Sequence, residues 1–121
     1  MAKPHLLIED YAGVAVVTFT DSSILDSKSI EELGEALYHM PDHQHKQKLV
    51  LDFTHVKLLS SQTIGVLLTL QKKMKAIKGT LVMCGLRKEV MKLFTITNLD
   101  REFKFYKDDA AALESFGVRV K

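Results

Sequence analysis

The sequence predicts an α/β domain in which a mixed sheet, opened by a β-hairpin, carries about four helices layered mainly on one side. Two observations point to it. Short runs rich in β-branched residues alternate with segments whose apolar residues recur at helical spacing, and two of those runs lack the in–out alternation of a half-solvated strand, as expected of strands covered on both faces. The 121 residues, 46% hydrophobic and 26% charged, have the balance of an ordinary globular chain, read as one domain over residues 1–121. At this length a core forms without disulfides or a structural metal.

Leu6-Leu7-Ile8 and Val14 to Phe19 form the expected hairpin, with Gly13 supplying turn freedom between them. After the loop residues Asp21-Ser22-Ser23, Ile30, Leu33, Leu37 and Met40 mark an amphipathic helix with Glu31, Glu32 and Glu35 on its solvated side. Asp26, and Ser29 with Glu32 three residues on, mark its start, and Pro41 is expected to end it. Pro41 to Lys48 reads as a polar loop. Leu49 to Phe53 is then a central buried strand, Thr63 to Ile77 the longest helix, Gly79 its left-handed terminator, and Thr80 to Cys84 a second buried strand. A short helix from about Arg87 to Thr95, an edge strand over Phe103 to Tyr106 and a last helix from near Asp108 complete the order. Parallel strands joined by right-handed crossovers place the intervening helices on one side.

Charge and composition exclude several functions. Seventeen Lys plus Arg against fifteen Asp plus Glu leave a formal +2, too near neutral for a nucleic-acid protein. Lys72, Lys73, Lys75 and Lys78 have no interleaved aromatics and read as a solvated helix face. Phe94, Phe103, Phe105 and Phe116 are core or strand aromatics by spacing. Cys84, the sole cysteine, lies in an apolar run and is expected buried, which fits a reducing cytoplasm. The start of the chain lacks the apolar segment of a secretory signal, and no stretch is long and apolar enough for membrane insertion. His39, His43 and His45 do not have a zinc spacing, lack a nearby cysteine and read as a solvated loop; His55 reads as a surface turn residue. With no glycine-rich phosphate loop and no nucleophile beside a base, the sequence calls for no metal, no cofactor and no catalysis.

One constellation stands out. Leu67, Leu70, Met74 and Ile77 make the core stripe of the long helix, but Ile64 and Leu68 project roughly 60° or more away from it. Either they pack on a neighbouring helix, or they form an apolar patch rimmed by Lys72 and Lys75 that suits a protein partner. Just before them, Leu59-Ser60-Ser61-Gln62-Thr63 is uncharged and hydroxyl-rich. A serine there either caps the helix or carries a phosphate, which a helix N-terminus tolerates but an apolar partner does not.

Leu49 to Phe53, Leu58 through Leu68, Lys78 through Leu86 and Val90 to Phe94 together resemble the STAS domain of bacterial anti-sigma factor antagonists. Ile24-Leu25-Asp26 resembles the family's loop aspartate before the first helix, and Asn98-Leu99-Asp100 its turn before the last strand. The resemblance implies a four-helix layer on a mixed sheet, and a cytoplasmic monomer or weak homodimer that binds an anti-sigma factor, often itself a serine kinase, to release a sigma factor. It places partner binding at Asp26, Ser60, Ser61, Gln62, Thr63, Ile64, Gly65 and Leu68.

In the family the kinase silences the antagonist by phosphorylating a hydroxyl residue in this segment. Anchored on Gly65, that acceptor position holds Gln62, which has no hydroxyl, so the expected protein binds its partner without the usual switch. Ser61, Thr63 and Ser60 are the shifted candidates for phosphorylation. A structural subunit of a larger signalling assembly, or of a membrane-protein complex, is the second reading.

Overall fold

The apolar runs without alternation become the middle of the sheet. The computed structural model describes residues 6–44 and 46–118. Strands β1 (Leu6–Tyr11) and β2 (Val14–Phe19) form the hairpin, turning through Ala12 and Gly13, both at positive φ. A two-residue strand β3 (Ser23–Ile24) leads into helix α1 (Ser27–His43), followed by β4 (Lys48–Asp52). A second short strand, β5 (Leu58–Leu59), leads into α2 (Ser61–Ala76), then β6 (Thr80–Cys84) and α3 (Lys88–Ile96). A 3-10 turn at Leu99–Arg101, β7 (Lys104–Tyr106) and α4 (Asp109–Ser115) follow.

The five-stranded sheet has the order β1-β2-β4-β6-β7, antiparallel between β1 and β2 and parallel elsewhere, so β4 is its centre as expected. Alternate residues of its strands supply two buried layers. Ala15, Val17, Phe19, Leu49, Leu51, Leu81 and Met83 join the buried residues of α1, α2 and α3 on one face. Val14, Val16, Val50, Val82 and Cys84 join Ala112 and Leu113 of α4 on the other. The helices therefore lie mainly on one side, but α4 departs from the four-helix layer. It follows the last strand rather than joining two parallel strands, so the handedness of crossovers does not govern it.

Three helix ends differ from expectation. Pro41 does not end α1; it is buried inside the helix, which runs on to His43. So near the C-terminus the lost N–H and the ring's crowding of the preceding turn disturb little of the helix, and burial of the ring offsets part of that cost. The start of α1 is set by Asp26 alone, whose carboxylate accepts from the Ser29 N–H at 2.9 Å; Ser29 and Glu32 form no capping box because Ser29 already lies inside the helix. At the end of α2 the left-handed residue is Lys78, with φ of 58°, and not Gly79. Gly79 is required for a different reason: a Cβ there would lie 2.8 Å from Met74 Cε and 3.0 Å from the Gln47 carbonyl oxygen.

Cys84 is fully buried, and desolvation, with Asp52 beside it, pushes its thiol well above the usual range. Phe94 packs edge-on against Phe103 and Phe105. His55 is exposed in the turn after β4. His43 and His39 belong to α1 rather than to a loop, and His45 lies outside the described residues. Among the described residues no helix is long and apolar enough to cross a membrane.

Candidate functional site

The site is built by the two shortest strands. β3 and β5 pair in parallel, Ser23 beside Leu58 and Ile24 beside Leu59, away from the main sheet. Each leads directly to a helix, so the parallel pairing sets the N-termini of α1 and α2 side by side. The joint is held by backbone bonds from Lys57 and Leu58 N–H to the Ser22 carbonyl at 2.7 and 3.1 Å, and from Ser60 N–H to the Ile24 carbonyl at 3.1 Å.

Pleating decides what this joint shows to solvent. Ile24 and Leu59 point inward and are buried, whereas Leu25 and Leu58 point outward, each 54% exposed. These two leucines are the apolar surface of the site, and helical periodicity does not mark them. Strands of two residues are too short to display a period of two, so the only signal available was adjacency to Asp26 and Ser60 in the chain.

The expected patch on α2 is largely covered. Ile64 is 5% exposed and belongs to the same buried cluster as Ile24 and Leu59. Leu68 is half-buried against that cluster. Thr63 is completely buried, its hydroxyl donating to the Ile24 carbonyl at 3.3 Å. It presents nothing to a partner and no acceptor to a kinase. The side chains of Ile64 and Thr63 are thus buried in this fold and not displayed on the expected patch.

Ser60 is the cap of α2. Its hydroxyl lies 3.4 Å from both Thr63 N–H and Thr63 Oγ1, long for hydrogen bonds. Ser61 and Gln62 are exposed on the first turn, which carries no acidic residue. Gly65, one turn on, is also exposed, and a Cβ built there meets nothing within 4 Å. A helix-interior glycine costs about 0.5–1 kcal/mol relative to alanine, and no close approach among the described residues requires one at Gly65.

Asp26, exposed at the neighbouring helix start, accepts from both the backbone N–H and the hydroxyl of Ser29, at 2.9 and 3.0 Å. These bonds, the backbone one first, hold its carboxyl below the ordinary carboxylate value. The surface formed by Leu25, Asp26, Leu58, Ser61, Gln62 and Gly65 is thus apolar at its centre, carries one anion, and has uncharged, small groups along the helix. It suits the docking of another protein surface. Among the described residues no group of three His, Cys, Asp or Glu side chains could hold a metal ion.

Solved structures share this architecture. An anti-sigma factor antagonist from Mycobacterium paratuberculosis matches with a TM-score of 0.80 at 24% identity, over 91% of this chain and 91% of that one. A putative anti-sigma factor antagonist from Thermotoga maritima matches with a TM-score of 0.80 at 19% identity, over 91% of this chain and 92% of that one. The anti-sigma factor antagonist SpoIIAA in its unphosphorylated form gives 0.78 at 14% identity, over 95% of this chain and 99% of that one. Likeness at these identities establishes the fold. The family model of the STAS domain matches residues 6–112, from the first strand through the last helix's buried Ala112, and the chain belongs to the STAS domain family.

Proposed function

We propose that this chain is a regulatory binding module, an anti-sigma factor antagonist that captures an anti-sigma factor and so releases a sigma factor, and that it acts without catalysis. The observation that carries this reading is the outward pair Leu25 and Leu58 on the joint between two helix N-termini, flanked by exposed Ser61, Gln62 and Gly65. An apolar centre with a polar margin is the composition of a protein-binding surface. The structural neighbours named as anti-sigma factor antagonists point to the same class of partner.

The usual phosphoacceptor position is held by Gln62. A neutral amide does not imitate a phosphate, so the first turn of α2 stays in its unmodified, binding state. Of the shifted hydroxyls, Thr63 is buried and Ser60 is half-buried as the helix cap, leaving Ser61 as the exposed one. A kinase must bring the acceptor hydroxyl to its base and the transferred phosphoryl group in line, so a shift by one residue on a helix, which turns the side chain by about 100°, removes it from reach.

The test is intact-mass measurement after incubation with ATP and an anti-sigma factor kinase that binds the chain. The wild-type protein is expected to stay unmodified, whereas Gln62→Ser gains one phosphate and loses affinity for the kinase. A stoichiometric phosphate on wild-type Ser61 overturns the loss of the switch. Sedimentation of the chain with and without the anti-sigma factor tests the binding role itself: a one-to-one complex supports it, and a stable high-order self-assembly without that capture replaces it with the scaffold reading.

A further inference from the structure

The far end of α1 carries a feature that the binding surface does not use. Because the helix continues through Pro41, His39 and His43 stand four residues apart on one helix, both exposed, with ring centroids 4.9 Å apart and planes inclined by 30°. Four-residue spacing puts two side chains on the same helix face with Cβ atoms about 5–6 Å apart. Two neutral imidazoles each offer one ring nitrogen to a common ion, and the spacing that is no zinc pattern in a loop becomes the four-residue spacing of helical zinc motifs once both residues lie on α1.

The surroundings favour a cation. His43 lies in the last turn of α1, where free carbonyl groups give the helix end a partial negative charge. Lys73 of α2, which reaches this region, is paired with Asp42 at 2.8 Å, so its charge is compensated. The ring centroids lie 4.9 Å apart on a regular helix, so rotation of the two exposed side chains is enough to turn one nitrogen of each toward a common ion. Among the described residues no third His, Cys, Asp or Glu completes the set, so water fills the remaining positions.

We propose that His39 and His43 form a two-imidazole site for a divalent transition-metal ion. Copper(II) is the tightest-binding ion of the series, since it stands highest in the affinity order for nitrogen ligands and accepts a tetragonal shell of nitrogen and water.

The experiment is calorimetric titration of the full chain with copper(II) alone in a non-coordinating buffer, together with the electron paramagnetic resonance spectrum of the complex. One ion bound through two nitrogen donors is expected, with nickel(II) weaker. His39→Ala and His43→Ala should each weaken binding tenfold or more, while His55→Ala, in the turn after β4, leaves it unchanged. Both helix positions are exposed and alanine is the best helix former, so these variants keep the fold, which far-ultraviolet circular dichroism verifies. Copper(II) bound undiminished by the double variant His39→Ala with His43→Ala places the ion on other histidines and overturns the proposal, as does a spectrum with a single nitrogen donor.

Discussion

The two ends of α2 are finished in opposite ways. At its C-terminal end the chain closes on itself: Met74 is fully buried, Gly79 N–H donates to the Met74 carbonyl at 2.7 Å, the Gln47 amide donates to the Ile77 carbonyl at 2.9 Å, and Lys73 pairs with Asp42. At its N-terminal end the cap is long, at 3.4 Å, a glycine stands exposed inside the helix, and two leucines face solvent beside it. One end is optimised for the fold and the other is not. Marginal stability makes such a concession measurable, and it is most economically explained where an outside surface completes the contacts.

That contrast predicts a separation of stability from binding. Met74→Ala, at the closed end, should have the largest effect: about 2–5 kcal/mol of stability lost in a urea titration, the range for removing a buried Met side chain, with affinity of the remaining folded protein for the anti-sigma factor unchanged. Leu58→Asp should do the reverse. An exposed position costs stability only within about 0.5 kcal/mol. Placing a charge at the centre of the docking surface should weaken capture tenfold or more, about 1.4 kcal/mol, read by calorimetry. Unchanged affinity in Leu58→Asp and in Leu25→Asp would move the interface elsewhere.

The regular frame was legible in the chain because its signals are long. Leu49 to Phe53 and Thr80 to Cys84 read as buried strands, and Leu67, Leu70 and Met74 as a core stripe, since several residues repeat one environment. The site was only partly legible. The chain singles out Asp26 and the Ser60–Gly65 segment as candidates, but β3 and β5 are two residues each, and without them Leu25 and Leu58 have no place and the burial of Ile64 is not visible. A helical plot shows which residues leave the core stripe; it does not show what else packs there. Pro41 failed as a stop signal for a related reason. Its cost of about 3 kcal/mol applies to a helix interior, and near a helix end tertiary burial of the ring outweighs the local rule.

Gly65 sharpens the contrast with a change of opposite sign. Gly65→Ala should stabilise the protein by about 0.5–1 kcal/mol, because alanine favours the helix and its Cβ meets nothing within 4 Å. The same methyl group should reduce affinity for the anti-sigma factor if a partner surface approaches this backbone closely. A variant that gains stability with full affinity would show that the exposed glycine serves no interface.

The smallest predicted effect separates the caps of the two neighbouring helices by pH. Asp26 is held below its ordinary value of 3.8 by the Ser29 N–H and hydroxyl, whereas Ser60 has no charge to titrate. A carboxyl whose folded value is depressed contributes stability that is fully present above the unfolded value and is lost as pH falls through the folded one. The thermal midpoint should therefore decline through an Asp26-dependent step below pH 3.8, and Asp26→Asn, which keeps a cap acceptor but no charge, should lack that step. Ser60→Ala should lower the midpoint equally across the same pH range. Because Asp26 is exposed, raised salt should shrink its charge-dependent contribution while leaving that of Ser60 unaltered.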